Sequence, residues 1–226
     1  MLLQDQIGAS PEQMLNNSIQ GLEYGFANVI RKITNRIPVS VAFVEGHGEA
    51  GEQYVADITR ELQSFYRVER KRLDEKLNSL QGFNIAIVAA PDSAFSEKDK
   101  FILDQFIIKG GKVLWLVDGA KVSMDSLQSN SETVATTNML NLDDMLFRYG
   151  ARINYDLVLD LQAAPIPIVT GYVGNRPQYS PMPWYYFPVV IPESKHPVVN
   201  NLNGVKLEFV SSIDPVGSPD VIKTPL

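Results

Sequence analysis

Apolar residues recur along this chain at two different periods, and the change of period divides it. Between Pro11 and Thr34, Met14, Leu15, Ile19, Leu22, Phe26, Ile30 and Ile33 fall at intervals that place them on one stripe of an α-helix. Ser10 is the predicted cap, and Pro11 takes the first helical position, where a missing N–H costs nothing. Gly21 and Gly25 each weaken the middle of this helix by about 1 kcal/mol relative to alanine, and they let another backbone come close. The pattern predicts a long helix that docks on the domain or on a partner.

From Pro38 the pattern becomes short, apolar and rich in β-branched residues. Pro38 to Val44 reads as a buried parallel strand, followed by a glycine loop and a helix over 52–65 with Val55, Ile58, Leu62 and Phe65 on one face. Tyr66 to Leu73 is a second strand and Phe83 to Ala89 a third, ended by Ala90-Pro91-Asp92. Ser96-Glu97-Lys98-Asp99 opens a helix carrying Phe101, Ile102, Phe106 and Ile107, stopped by Gly110-Gly111 before a fourth strand over 112–117. Strand, helix, strand, strand, helix, strand at this spacing predicts an α/β fold with right-handed crossovers. Its sheet is mostly parallel and flanked by helices on both faces.

After Asp118-Gly119 the stretch from Met124 to Thr137 is rich in Ser, Thr and Asn and reads as a surface loop. A helix over 141–149 buries Leu142, Met145 and Leu146, and a strand is predicted over 158–161. The segment 164–197 then mixes eight prolines with Tyr172, Tyr179, Trp184, Tyr185, Tyr186 and Phe187. Proline cannot donate to a central ladder, so this is extended, turn-rich chain or an edge strand. Val205 to Ser211 reads as a strand, and the chain stops at Lys223-Thr224-Pro225-Leu226 without a capping element, as a piece of a longer protein would. The predicted organisation is an amphipathic helix over 1–36, an α/β domain over 37–162, and a truncated Pro/aromatic-rich extension over 163–226 that packs on the same globule.

Composition narrows the function. The 226 residues are 45% hydrophobic and 20% charged, with a formal charge of −6, which gives no basic footprint for nucleic acid. Arg67, Arg70, Lys71, Arg72 and Lys76 crowd one stretch, but Glu69, Asp74 and Glu75 interrupt it, as on a solvated sheet edge. The absence of cysteine removes disulfides, thiolate metal sites and a cysteine nucleophile. Two histidines, His47 and His196, make a polyhistidine metal site implausible. No apolar run of about 18 residues exists, and the N-terminus lacks the basic and apolar regions of a signal peptide.

The candidate chemistry sits after the first strand, where α/β sheets place ligands. Glu45-Gly46-His47-Gly48-Glu49 lets a backbone approach a ligand, and Gly46, Gly48 and Gly51 formally fit G-x-G-x-x-G. Glu45 and Glu49 would repel a pyrophosphate, however, and the second strand ends in Arg70-Lys71-Arg72, without the acid that would bind a ribose. One imidazole and two carboxylates can in principle hold a divalent ion, but a tight turn with a locally bonded His47 is the simpler reading. No G-x-S-x-G elbow accompanies it. Asp118, at the end of the fourth strand, reads as a turn residue before Gly119, and Asp143-Asp144 as the exposed face of a short helix. Trp184, Tyr185, Tyr186 and Phe187 divide between core and interaction patch.

Several strings together are similar to a known family: Gly21 to Asn28, Val44 to Glu49, Pro91 to Ser96, Phe106 to Val113, Asn141 to Tyr155 and Pro183 to Pro188. They resemble the GldG-like proteins, auxiliary components of the gliding-motility ABC transporter of Bacteroidetes, described as an uncharacterised ABC-type transport system. The resemblance implies a membrane-anchored protein whose soluble part lies outside the cytoplasm, in the periplasm, attached to the inner membrane through segments outside this chain. It implies partners in a separately encoded permease and ATPase. It also implies a fold similar to class I glutamine amidotransferases, which carry a cysteine nucleophile on the turn after the third strand. Here that turn is Ala89-Ala90-Pro91-Asp92, without Cys or Ser, and no Walker motif is present.

The expected function is therefore non-catalytic: an accessory domain acting by binding, with no metal or cofactor. Its tentative ligand contacts are Glu45, Gly46, His47, Gly48, Glu49 and Asp118, and its interaction surface Tyr172, Trp184, Tyr185 and Tyr186. A carbohydrate- or small-ligand-binding module would instead show a concave pocket at the strand ends, rimmed by aromatics from 172–187. A hydrolase using His47 would need a carboxylate about 3 Å away in an open cleft. A scaffold would show an apolar patch on the first helix.

Overall fold

The computed structural model describes residues 12, 19, 21–34, 39–122, 124, 132–192, 194–200, 202–217 and 219–226. Ser10 and Pro11, the predicted start of the first helix, and residues 125–131 of the polar loop lie outside them. The first helix is seen as α1 (Leu22–Thr34).

Four parallel strands form the central sheet: β1 (Ser40–Glu45), β2 (Arg67–Arg72), β3 (Ile85–Ala89) and β4 (Lys112–Leu116), in the order β2-β1-β3-β4. Between β1 and β2 the chain crosses by α2 (Glu52–Gln63), and between β3 and β4 by α3 (Glu97–Ile108). The order reverses between β1 and β3, so the loops after these two strands flank the crevice where open α/β sheets bind ligands.

Because alternate residues of a strand face opposite ways, the apolar runs feed two cores. Ala42, Val44, Ala86 and Val88 pack with Ile102, Leu103 and Phe106 of α3 and with Met145 and Leu146. Val41, Phe43, Ile87 and Ala89 pack with Val55 of α2, backed by the half-buried Leu62. The edge strand departs from the expectation of a sheet covered on both faces. Val113 and Trp115 turn toward the α3 core, while Leu114 and Leu116 on the other face are about half exposed, because α2 lies over β1 and β3. Ile58 of α2 and Phe101 of α3, expected inside, are also half exposed.

A short helix, α4 (Asp143–Arg148), is tied to α3 by Lys100. This buried ammonium lies 2.7 Å from Asp144 and 3.0 Å from Glu97. Burial disfavours its charge, but the two carboxylates outweigh this and hold its pKa above the usual lysine value. Short antiparallel pairs follow: β5 (Ala120–Lys121) with β6 (Thr136–Thr137), and β7 (Ala151–Ile153) with a C-terminal strand over Ile213–Pro215.

The Pro/aromatic segment is more regular than its composition suggests. It forms a long hairpin of β8 (Ala163–Val173) and β9 (Arg176–Val190), joined at its base by β10 (Val205–Lys206); the Ile213–Pro215 strand is β11. Pro165 faces Pro183 and Pro167 faces Pro181. A proline facing a proline gives the ladder no N–H, so these pairs occupy non-hydrogen-bonded positions, where the missing donor would point out of the ribbon. The strand predicted over 158–161 is absent. Isolated backbone bonds take its place: Val158 donates to Val210 O at 2.9 Å and Asp160 to Tyr185 O of β9 at 3.0 Å, while Leu159 and Leu161 stand in solvent. The strand predicted over 205–211 is regular only as β10. Leu207 and Phe209 keep its register by donating to Pro188 O and Tyr186 O of β9. Pro188 has no N–H to return, however, and Phe209 has a positive φ, so the ladder stops.

Leu103, with no exposure, is the test of the α3 core: Leu103→Ala is expected to cost about 2–5 kcal/mol in urea unfolding. Leu161→Ser, at 87% exposure, is expected to stay within about 0.5 kcal/mol of the parent.

Candidate functional site

The loop after β1 is held from both sides. Glu45, the last residue of β1, pairs with Arg70 of β2, and Arg70 also donates to Ala50 O at 3.0 Å, clamping the far end of the loop. Gly46 and Gly48 have positive φ, +128° and +71°. At Gly48 a Cβ would lie 1.6 Å from Asp92 Oδ1, so both the backbone and the space require glycine.

These turns send His47 inward, where it is only 4% exposed. Its ring stacks on Phe95 with centroids 3.7 Å apart. Nδ1 lies 3.1 Å from Glu49 Oε1, and Nε2 lies 3.2 Å from Asp99 Oδ2. The other Glu49 oxygen accepts from the His47 backbone N–H at 2.8 Å. Asp99 stands in the first turn of α3, where a carboxylate is favoured by the unpaired amides, and it also accepts from Ser96 Oγ and the Glu75 N–H. Ser96 caps the helix by accepting from the Asp99 N–H at 3.1 Å.

A neutral imidazole has one N–H and donates once. With a carboxylate oxygen at each nitrogen, the cluster is fully bonded only with an extra proton, on the ring or on a carboxyl group. Burial pushes the Glu49 carboxyl up, but hydrogen bonds from the His47 ring and backbone outweigh it, leaving its pKa below the usual glutamate value. Both ring nitrogens are therefore engaged and closed off, whereas acid–base chemistry needs one within reach of a substrate. The carboxylate that a hydrolase reading requires is present, but the open cleft is not. Among the described residues, no group of three or more His, Asp or Glu is placed to hold a metal ion.

The crevice beside this loop is filled by the chain itself. Asp92 and Ser93 donate their N–H groups to His47 O, each at 2.9 Å, and Ala50 N–H donates to Ala89 O at 2.8 Å. Next to it Ala90, the residue after β3, has φ +48°, a left-handed conformation uncommon outside glycine. Ala90 lines a cavity of about 290 Å³ at the carboxyl ends of β3 and β4, together with Asp92, Asp118, Lys121, Asn138 and Phe209. Burial raises the Asp118 carboxyl above the usual aspartate value. Asn138 donates to Pro91 O at 3.1 Å and Asp118 O at 3.0 Å, fixing the two strand ends, while Lys121 bonds Asp92 O. A larger cavity, about 330 Å³, lies at the other end of the sheet, between Leu77–Phe83 and the end of α3.

The residues singled out in the sequence therefore separate. His47 and Glu49 come together in a buried cluster, Glu45 turns to β2, and Asp118 lines the cavity beside them. The four aromatic residues do not form one patch. Tyr172 is exposed near the hairpin tip and Tyr185 is half exposed. Trp184 and Tyr186, 5.9 Å apart, are half buried at its base, and Tyr186 lies 6.2 Å from Phe209. The aromatic on the cavity wall is Phe209, outside the 172–187 segment. Asp99, Phe95 and Asn138 were missed as site residues. Ser96-x-x-Asp99 reads as a helix cap, but nothing in the sequence links it to a histidine 52 positions earlier.

His47→Ala would leave Glu49 and Asp99 buried without their shared partner and is expected to cost about 3–5 kcal/mol at pH 7. Glu49 has a folded pKa below its ordinary 4.5, so its contribution is present above that value and is lost as pH falls through the lower folded value. The gap between parent and His47→Ala in urea unfolding should therefore shrink at acid pH; a gap independent of pH would contradict the charge network.

Comparison with curated protein sequences gives no match. Among solved structures, one named "mmIFT52 N-terminal domain" superposes with a TM-score of 0.53 at 16% identity, covering 80% of this chain and 69% of that one. That likeness is one of fold. The sequence profile described as "ABC-type uncharacterized transport system" matches residues 38–226, the α/β unit together with the hairpin extension. The chain belongs to this family of auxiliary ABC-type transport-system proteins.

Proposed function

We propose that this chain is a non-catalytic, extracytoplasmic accessory domain of a GldG-like, gliding-motility type of ABC system, binding a separately encoded permease and ATPase. The observation that carries the reading is Ala90. The strand order β2-β1-β3-β4 is the start of the flavodoxin-like order, and the turn after β3 has the strained backbone on which amidotransferase-like folds mount a nucleophile. In this chain that position bears a methyl group. The neighbouring imidazole is buried between two carboxylates, so the reactive parts that such a fold could carry are either absent or closed. Family membership supports a transport role, and the exposed apolar face of α1 supports action through protein contacts.

Affinity purification of the full-length protein from its native membranes is expected to recover a permease and an ATPase. Recovery of neither would count against the transporter reading.

A second reading, a small-ligand or carbohydrate module, is favoured by the cavity at the carboxyl ends of β3 and β4. Three carboxylates (Asp92, Asp118 and Glu208), an ammonium and an aromatic ring line it. A thermal-shift screen against sugars, nucleotides and divalent ions tests it. A stabilising ligand whose effect disappears in Asp118→Asn would establish the module; a flat screen would leave binding of macromolecules as the function.

A further inference from the structure

We propose that the cavity at the carboxyl ends of β3 and β4 takes a small organic cation that donates N–H groups, an amine or a guanidine, held by the carboxylate of Asp118 and Oδ1 of Asn138. This rests on the small-ligand reading and names the class of ligand. Most polar side chains on the wall are already committed. Asp92 accepts from Ser93 Oγ at 2.6 Å, Glu208 pairs with Lys206, and Lys121 donates to Asp92 O. Asn138 and Asp118 are different. Asn138 is only 6% exposed; its backbone N–H donates to Gly119 O and its Nδ2 to Pro91 O and Asp118 O, but Oδ1 is buried with no partner. Buried polar atoms are almost always paired, so an orphan acceptor on a side chain lining a cavity marks a group left for a ligand to satisfy.

Among the described residues, no hydrogen bond or ion pair reaches the Asp118 carboxylate. Burial acts on it alone and lifts its pKa above the usual aspartate value, as expected of a charge that the fold desolvates and does not balance. An ionised carboxylate and an amide oxygen only accept, so the ligand must donate. The sign of its charge follows from the wall. Asp92, Asp118 and Glu208 stand against the single ammonium of Lys121, which repels anions. A neutral polyol would bond both oxygens yet leave the Asp118 charge unbalanced, whereas an N–H cation satisfies both demands. Phe209 adds an aromatic ring, whose π cloud attracts cations. A bare metal ion does not fit, since among the described residues no three carboxylate or imidazole groups are placed to hold one. The volume, about 290 Å³, lies at the small end for ligand sites and suits one cationic head on a short stem.

Nuclear magnetic resonance of the isotope-labelled 226-residue chain provides the test. Titration with ethylammonium or methylguanidinium is expected to move the Asn138 side-chain amide and the Gly119 amide saturably. It should also lower the pKa of the Asp118 carboxyl, because a bound cation favours the charged form. Asp118→Asn should abolish these shifts while unfolding in urea no earlier than the parent, since the carboxylate has no partner in the fold to lose. Tetramethylammonium, which has charge but no N–H, and glucose, which has donors but no charge, should leave the spectrum unmoved. Glucose binding without the amines would overturn the cation and leave the small-ligand module standing. Silence with every probe would overturn both. Equal shifts with tetramethylammonium, or amine binding that persists in Asp118→Asn, would reduce the effect to surface charge and overturn the site.

Discussion

A single imidazole held between two carboxylates organises the carboxyl end of the sheet. His47 joins the loop after β1 to the first turn of α3, elements that share no strand pairing, and its backbone carbonyl takes the N–H groups of Asp92 and Ser93 from the loop after β3. Three loops are therefore registered by one residue. The arrangement is stable only while the charges balance, since a carboxylate buried without its partner is costly and a paired one is not. Gly48 is the geometric condition: only a residue without Cβ turns the chain this tightly beside Asp92.

Closing the crevice in this way has a consequence for function. Open α/β sheets bind ligands where strand order reverses, and here that point, between β1 and β3, is occupied by the chain's own hydrogen bonds. The remaining space moves one strand over, to the ends of β3 and β4, where Asp118 and Asp92 meet Lys121 and Phe209. Ala90, the residue after β3, has a left-handed backbone and lines this space with a methyl group.

Two features project from this unit, and both are built for contact through side chains. The hairpin of β8 and β9 has exposed Tyr172, Tyr179 and Met182, yet its facing prolines strip donors from its outer edges, which discourages addition of another strand. The other is α1, whose Phe26, Val29, Ile30 and Ile33 are more than half exposed.

Local periodicity was enough to place the central elements. Alternating and helical apolar patterns located β1 to β4, α2 and α3 within about two residues, because those periods follow directly from backbone geometry. The ABC-type transport-system family was also legible, and its profile matches residues 38–226. The failures have a common cause. Val158 to Leu161 looks like a strand, but its backbone bonds go to two separate segments, at Val210 and Tyr185, so no continuous ladder forms. The proline-rich segment reads as extended chain or an edge strand, but only the pairing of proline with proline shows it to be a regular hairpin. His47 reads as a turn residue bonded locally, and its bonds to Glu49 are local, but its burial was not legible. Its burial depends on Asp99 and Phe95, which lie far along the chain and reach it only after the parallel crossovers have brought α3 beside β1. The sequence by itself determined which segments could be helix or strand and where the loops fell. Only the tertiary structure decided which side chains those loops would enclose, because burial and charge pairing are properties of neighbours brought together by the fold.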